Sequence, residues 1–410
     1  MMRRPLATAV LLVASCSLTF AQDTQSFDRI ERGRYLSVLG DCAACHTAPG
    51  GQPFAGGLGL ETPFGKIVAP NITPDRETGI GNMTDQEFLA ALHDGRGHDG
   101  TRLYPAMPYP AYTKMTDDDV RAMRAYFATV APVRNRVISN QLPFPFNVRL
   151  SMAFWNALNF SPGRYDSNPG KSAEWNRGAY IVEGAAHCGT CHTPKTLLGG
   201  DKNGQALAGA TLQGWFAPDI TTDARKGIGG LSKDDLVQYL KTGANNWTLA
   251  SGPMAEAVTH STSQMTDEDI SAIATYLKDS GEGGSTPKPE PVAVSDNAMR
   301  AGAAIYKDSC AACHRDTGAG EVHLFARLAG SALVQSDDPT TLVRVVLQGT
   351  RAVSTRDKPT APAMPAFDWR LSDAQAAAVL TYIRNSWGNA AGPVSSGVVA
   401  SERMSLGRLP

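Results

Sequence analysis

Three times along this chain, two cysteines separated by two residues are followed at once by a histidine: Cys42-Ala-Ala-Cys45-His46, Cys188-Gly-Thr-Cys191-His192 and Cys310-Ala-Ala-Cys313-His314. These motifs use every cysteine of the chain except Cys16. The spacing has a chemical cause. Two thiols three positions apart on a helical turn can each add to a vinyl group of one haem, and the next residue then projects beneath the ring, where its imidazole ligates the iron. A disulfide set or a zinc site would use the Cys-x-x-Cys pairs but has no need of a histidine straight after each. A thioredoxin-like redox motif sits in a βαβ context and does not recur three times. The motifs therefore predict three covalently bound haem c groups, with His46, His192 and His314 as proximal iron ligands.

The surroundings of the motifs repeat as well. Residues 30–39, 175–184 and 299–306 lack proline and carry apolar residues at helical spacing, which predicts a helix before each motif. A second helix is expected downstream, opening at Thr116, Thr266 and Ser372. Each of these N-caps has an acidic or amide residue three positions on, the pattern of a capping box. Ten residues after each cap lies a tyrosine: Tyr126, Tyr276 and Tyr382. Between motif and closing helix each repeat holds a methionine beside a proline: Met107, Met254 and Met364. A proline-stiffened loop suits a thioether held over the open face of the iron, so these three are the expected distal ligands. Met265 competes with Met254. Met115 and Met123 sit at or inside the closing helix and read as packing residues. His93 and His98, around the Gly95–Gly100 loop, read as structural, as do His187, His260 and His323. Ala69-Pro-Asn-Ile-Thr-Pro-Asp75 is echoed by Ala217-Pro-Asp-Ile-Thr-Thr-Asp223, a turn-rich segment expected to wrap a haem edge, and the third repeat lacks it.

These features predict a mainly α chain of three tandem cytochrome c-type domains at 27–131, 173–280 and 295–388. Linkers are expected at 132–172 and 281–294, and a flexible tail at 389–410. The first linker carries Phe154, Trp155, Leu158 and Phe160, apolar enough to pack between domains or to face a partner or a membrane surface. Arg3 and Arg4, the apolar stretch 6–14 and the small residues up to Ala21 read as a signal peptide at 1–21, which predicts export. Val13-Ala14-Ser15-Cys16 resembles a lipobox and offers a rival processing site. No later segment is long and apolar enough for a transmembrane helix. With 38 basic and 39 acidic residues, the net charge of −1 gives no sign of nucleic-acid binding. No flavin, nicotinamide or molybdenum fingerprint is present.

The chain resembles the triheme cytochrome c subunit of bacterial periplasmic alcohol, aldehyde and gluconate dehydrogenases. The resemblance is most specific in Arg32-Gly-Arg-Tyr35 leading to Cys42, in the 69–75 loop, in Pro105-Ala-Met107-Pro-Tyr-Pro-Ala-Tyr112, and in Trp175-x-Arg177-Gly-x-Tyr180 leading to Cys188. It implies a periplasmic electron-transfer subunit, soluble or peripheral at the outer face of the cytoplasmic membrane. Such a subunit is no enzyme alone: it takes electrons from a dehydrogenase catalytic subunit and delivers them to ubiquinone or another respiratory acceptor. A free-standing shuttle is the alternative that the same haem sites would serve. A haem enzyme would need an open iron site, against which the three methionines count. Some family members carry an apolar C-terminal segment, whereas this chain ends in a small, polar tail.

Overall fold

The computed structural model describes residues 26–138, 140–281 and 286–407, so the expected signal peptide and Cys16 lie outside it. Each repeat is built on two crossing helices. The opening helices are Phe27–Leu39, Ala173–Tyr180 and Asn297–Ser309, and the closing helices are Asp117–Phe127, Asp267–Asp279 and Asp373–Arg384. Side chains of Ser26, Ser172 and Asp296 accept the first free N–H groups of the opening helices. The crossing point is a glycine in every repeat. A Cβ at Gly33, Gly178 or Gly302 would lie 1.9, 2.0 or 2.2 Å from the carbonyl oxygen of Ala122, Ala272 or Ala378. Only glycine lets the two backbones approach so closely.

The closing helices carry the expected caps: Thr116, Thr266 and Ser372 accept from the N–H of Asp119, Asp269 and Gln375. The residues just before these caps, Met115, Met265 and Leu371, are buried, as are Val120, Ile270 and Ala376 one turn into each helix. This is a hydrophobic staple at each entry, and it gives Met265 a core role. The capping boxes differ from expectation. Only Ser372–Gln375 closes, with Ser372 N donating to Gln375 Oε1 at 2.9 Å. In the first two repeats the third-position aspartate is buried and turns away from the cap to an arginine, and the cap's own N–H goes to a tyrosine of the other domain: Thr116 N to Tyr180 Oη and Thr266 N to Tyr35 Oη, both 3.1 Å.

Three small antiparallel hairpins complete the repeats. Gly59–Thr62 pairs with Gly65–Val68, Ala210–Leu212 with Trp215–Ala217, and Thr350–Arg351 with Ala363–Met364, the last with Thr350 opposite Met364. The first two domains share one hydrophobic core, from Leu36 and Val120 to Ile181 and Ile273, while the third has its own around Tyr306, Val343 and Leu380.

The expected flexible tail is a correction. Residues Ala390, Ala391 and Val394 are buried, and a helix Ser396–Leu406 follows, capped by Ser395. Val399 is wholly buried in the third core, and Arg403 pairs with Asp373 and donates to the carbonyls of Asp368 and Leu371. The apolar residues here are small and scattered, so the segment reads as polar while still closing the domain. The first linker also has structure. It contains the helix Ser151–Asn159, whose Trp155 indole donates to Leu198 O of the second domain (2.8 Å), while Asn156 accepts from Tyr109 Oη of the first (2.6 Å).

Candidate haem sites

Each Cys-x-x-Cys-His motif forms a single helical turn: Cys42–His46, Gly189–His192 with Cys188 as its cap, and Ala311–His314 with Cys310 as its cap. The turn follows from what precedes it. Asp41 and His187, the residues just before the first cysteines of the first two motifs, both adopt left-handed backbone (φ 49° and 42°), which breaks the direction of the opening helix. None of the three turns contains a fully buried residue. Their cysteines, alanines and histidines are mostly half-exposed, an apolar strip suited to being covered by a flat group.

The imidazoles are oriented by backbone. His46 Nδ1 lies 2.8 Å from Pro70 O, His192 Nδ1 2.7 Å from Pro218 O, and His314 Nδ1 2.9 Å from Ala326 O. A carbonyl only accepts, so Nδ1 carries the proton in each ring and Nε2 presents its lone pair, as an iron ligand must. Burial holds all three imidazoles below the ordinary histidine range, which keeps them neutral. The carbonyls are themselves pinned. Asn71 Oδ1 accepts from Thr73 N and Oγ1 while its amide donates to Val133 O, and Asp219 Oδ1 accepts from Thr221 N. The repeated 69–75 and 217–223 segments thus serve to fix a proline carbonyl under the histidine ring. In return each histidine carbonyl accepts from a glycine N–H: Gly56 and Gly209 at 2.8 Å and Gly320 at 3.0 Å, all three in left-handed conformation.

None of the six motif cysteines is in a disulfide. Burial pushes Cys42 and Cys188 up to about 12, and Cys45 and Cys310 up to about 11, so these are not reactive thiolates at neutral pH. Among the described residues, no motif cysteine joins a group of three or more His, Cys, Asp or Glu side chains close enough to share a metal ion. Paired thiols on one turn, a neutral imidazole with Nε2 free and a half-exposed apolar strip together fit covalent attachment of a porphyrin.

The methionines are placed unevenly. Met107 packs on the same core as Cys42, and Met364 on the same core as Cys310. Met254 packs instead against a small cluster of Ala250, Val258 and Val353, the last from the third domain. It also stands in a helix, Pro253–His260, where a loop was expected: Pro253 occupies the first helical position, which a proline favours. His93 likewise lies on a helix, Asp85–Asp94, and is buried, with burial lowering it to about 4. His98 is exposed against Glu87 (2.9 Å), and His187 donates to Gly40 O (3.2 Å).

The cytochrome c family pattern matches residues 30–131, 176–281 and 299–387. The chain belongs to the cytochrome c family. Covalently bound haem c follows from that membership and from the motif geometry. The chain is 40% identical to a gluconate 2-dehydrogenase cytochrome c subunit of Pantoea cypripedii, over 93% of this chain and 91% of that one. It is 39% identical to a fructose dehydrogenase cytochrome subunit of Gluconobacter japonicus (99% and 91%). It is 38% identical to the cytochrome c subunit of a quinone-dependent alcohol dehydrogenase of Gluconobacter oxydans (95% and 85%). No helix among the described residues is long and apolar enough to cross a membrane.

The proline and alanine carbonyls and the three left-handed glycines escaped the sequence reading. A backbone acceptor leaves no side-chain mark, and the glycines stand 10, 17 and 6 residues after their histidines, which hides the equivalence. The one legible sign was the repeated Ala-Pro-x-Ile-Thr segment.

Proposed function

We propose that the chain is a triheme electron-transfer subunit. It takes electrons from a separate dehydrogenase catalytic subunit that oxidises an alcohol, an aldehyde or a sugar acid, and delivers them to ubiquinone or another respiratory acceptor. The observation that carries this is the threefold recurrence of one motif turn whose histidine is held by a backbone carbonyl with Nε2 free. The relatives named as cytochrome subunits of gluconate, fructose and alcohol dehydrogenases support the partner and the role.

In this reading the thiols of Cys42 and Cys45, Cys188 and Cys191, and Cys310 and Cys313 hold three haems. His46, His192 and His314 are the proximal ligands, and Met107, Met254 and Met364 the distal ones. Bound haem supplies a one-electron iron couple, which histidine–methionine ligation biases toward the reduced state. The chain's residues hold the ligands, exclude water and fix the domains relative to one another. The domains run 27–131, 173–280 and 295–407, and the place of work is the periplasm, at the outer face of the cytoplasmic membrane.

The test is gentle purification of the native complex followed by an assay of haem reduction with alcohols, aldehydes and sugar acids. A larger subunit should co-purify, and one substrate class should reduce the haems. A chain that elutes alone and is reduced by no substrate would replace the subunit reading with a free shuttle.

A further inference from the structure

The linker helix Ser151–Asn159 is turned inside out. Its inner face is half polar, with Trp155 and Asn156 bonded to the neighbouring domains and Asn159 donating back to Trp155 O. Its outer face is an apolar stripe at helical spacing: Leu150, Phe154 and Leu158 are 75%, 67% and 59% exposed. Other exposed apolar side chains lie on the segments that precede the helix in the chain or bond to it. Leu197 is 97% exposed on the loop that Trp155 grips through Leu198 O, and Phe144 is 81% exposed near Phe146, which stacks on Phe64 at 5.0 Å. A patch of this extent is more than scattered surface leucines.

Between residues 120 and 165 the chain has six arginines and no aspartate or glutamate. Arg121, Arg124, Arg134 and Arg164, however, pair in turn with Asp117 and Asp118, with Asp85, with Glu77 and with Asp117, so the basic side chains left for a partner are those beside the helix. Beside the helix, Arg96 and Arg102 line a groove of about 460 Å³ with Ala153, Asn156, Ala157 and Phe160. Arg149 donates to Arg102 O at 2.7 Å and lies over the Tyr104 ring. Among the described residues Arg96, Arg102 and Arg149 have no carboxylate partner, and Asp94 is the one acid in the groove. Aromatic and leucine side chains facing outward, rimmed by unpaired arginines, are what an anionic lipid surface takes up.

We infer that the linker helix and its flanks form a monotopic membrane-docking surface for anionic phospholipid, with Phe144, Leu150, Phe154, Leu158 and Leu197 entering the headgroup boundary and Arg96, Arg102 and Arg149 meeting lipid phosphates. This deepens the proposed location at the membrane and rests on that reading.

The test is flotation of the purified, haem-loaded, exported chain with vesicles of phosphatidylcholine alone or with phosphatidylglycerol. The unaltered chain should float with the anionic vesicles and weakly with the neutral ones. Phe154→Asp with Leu158→Asp should lower the bound fraction about tenfold or more, and Arg102→Gln with Arg149→Gln should remove the preference for anionic lipid, both with an unchanged haem spectrum. An unaltered chain that floats with neither vesicle overturns the proposal. So does a doubly substituted chain that floats as before, or one that floats as before and has lost its catalytic subunit, which would make the patch a subunit interface. Substrate-driven haem reduction in solution needs no vesicle. A native complex that is reduced while the chain does not float therefore sinks only the docking surface, and a chain that floats while its native complex is not reduced sinks only the electron-transfer reading.

Discussion

The first and second domains meet through reciprocal bonds, whereas the third meets the second through unlike ones. Tyr35 of the first domain donates to Asp269 of the second at 2.7 Å, and Tyr180 of the second donates to Asp119 of the first. Each aspartate is held from its own domain, by Arg32 at 2.6 Å or by Arg177 at 2.7 Å. This is the same patch used twice, as in a two-fold dimer. Third-domain Thr341 bonds both N and O of Phe216, Arg344 reaches Gly214 O and lies over Trp215, and Arg327 stacks on Trp247 at 4.4 Å. None of these has a mirror-related partner. The capping boxes follow the same division. In the third domain Gln375 closes the box, while the aspartates at the same position in the first two leave the cap open for the neighbour's tyrosine. In the first two repeats the open cap and the neighbour's tyrosine go together, although an aspartate can close such a box, as Asp235 does on Ser232.

The largest expected effect follows from the shared core. Gly33→Val or Gly178→Val forces a side chain into a backbone carbonyl, at a cost of about 3 kcal/mol or more. Because those two domains are packed as one unit, either change should lose two haems from the purified chain, and Gly302→Val only the third. Haem content per chain reads this directly, and loss of a single haem from Gly33→Val would show that the first two domains fold separately.

The next effect depends on pH. Asp41 stands half-buried ahead of the first motif with Oδ1 enclosed and unpartnered, and this burial, with Glu256 adding, pushes it from 3.8 to about 8. The folded state therefore binds a proton that the unfolded state has lost. Stability from this group is present below about pH 4 and falls as pH rises toward 8, by roughly 1 kcal/mol per pH unit. Asp41→Asn should flatten the slope for the unit of the first two domains. His187 occupies the matching place in the second repeat, and the third has no left-handed residue there. Denaturant melts of the unaltered chain and Asp41→Asn between pH 5 and pH 8 check this, and parallel slopes would contradict it.

Asp269→Ala leaves Tyr35 and Arg177 without their acceptor and should cost the first unit about 3 kcal/mol, leaving the third domain's transition in place. Gln375→Ala, its third-domain counterpart, removes one cap bond and should cost about 1 kcal/mol. The smallest change is Tyr35→Phe or Tyr180→Phe, each about 1 kcal/mol or less, and the two should match within error because the contacts are reciprocal. Separate calorimetric transitions for the two units measure all three.

The sequence made the motif turns, the helix pairs and the caps legible because each rests on local spacing. Cys-x-x-Cys-His, Thr116 with Asp119, and the tyrosine ten residues on are all short-range patterns. What it hid was long-range. Nothing near Thr116 says that Tyr180, 64 residues away, will take its N–H. The helix Ser396–Leu406 was missed because its burial depends on the third core being present to receive Val399. Met254 was misplaced because Pro253 can stiffen a loop or open a helix, and only the surrounding chain decides which.

The most direct test of the three-site reading is the intact mass of the exported, processed chain, unaltered and with Cys188→Ala/Cys191→Ala. The unaltered chain should exceed its polypeptide mass by three haems held through denaturation, and the substituted one by fewer. A covalent excess of two haems or none in the unaltered chain would contradict it.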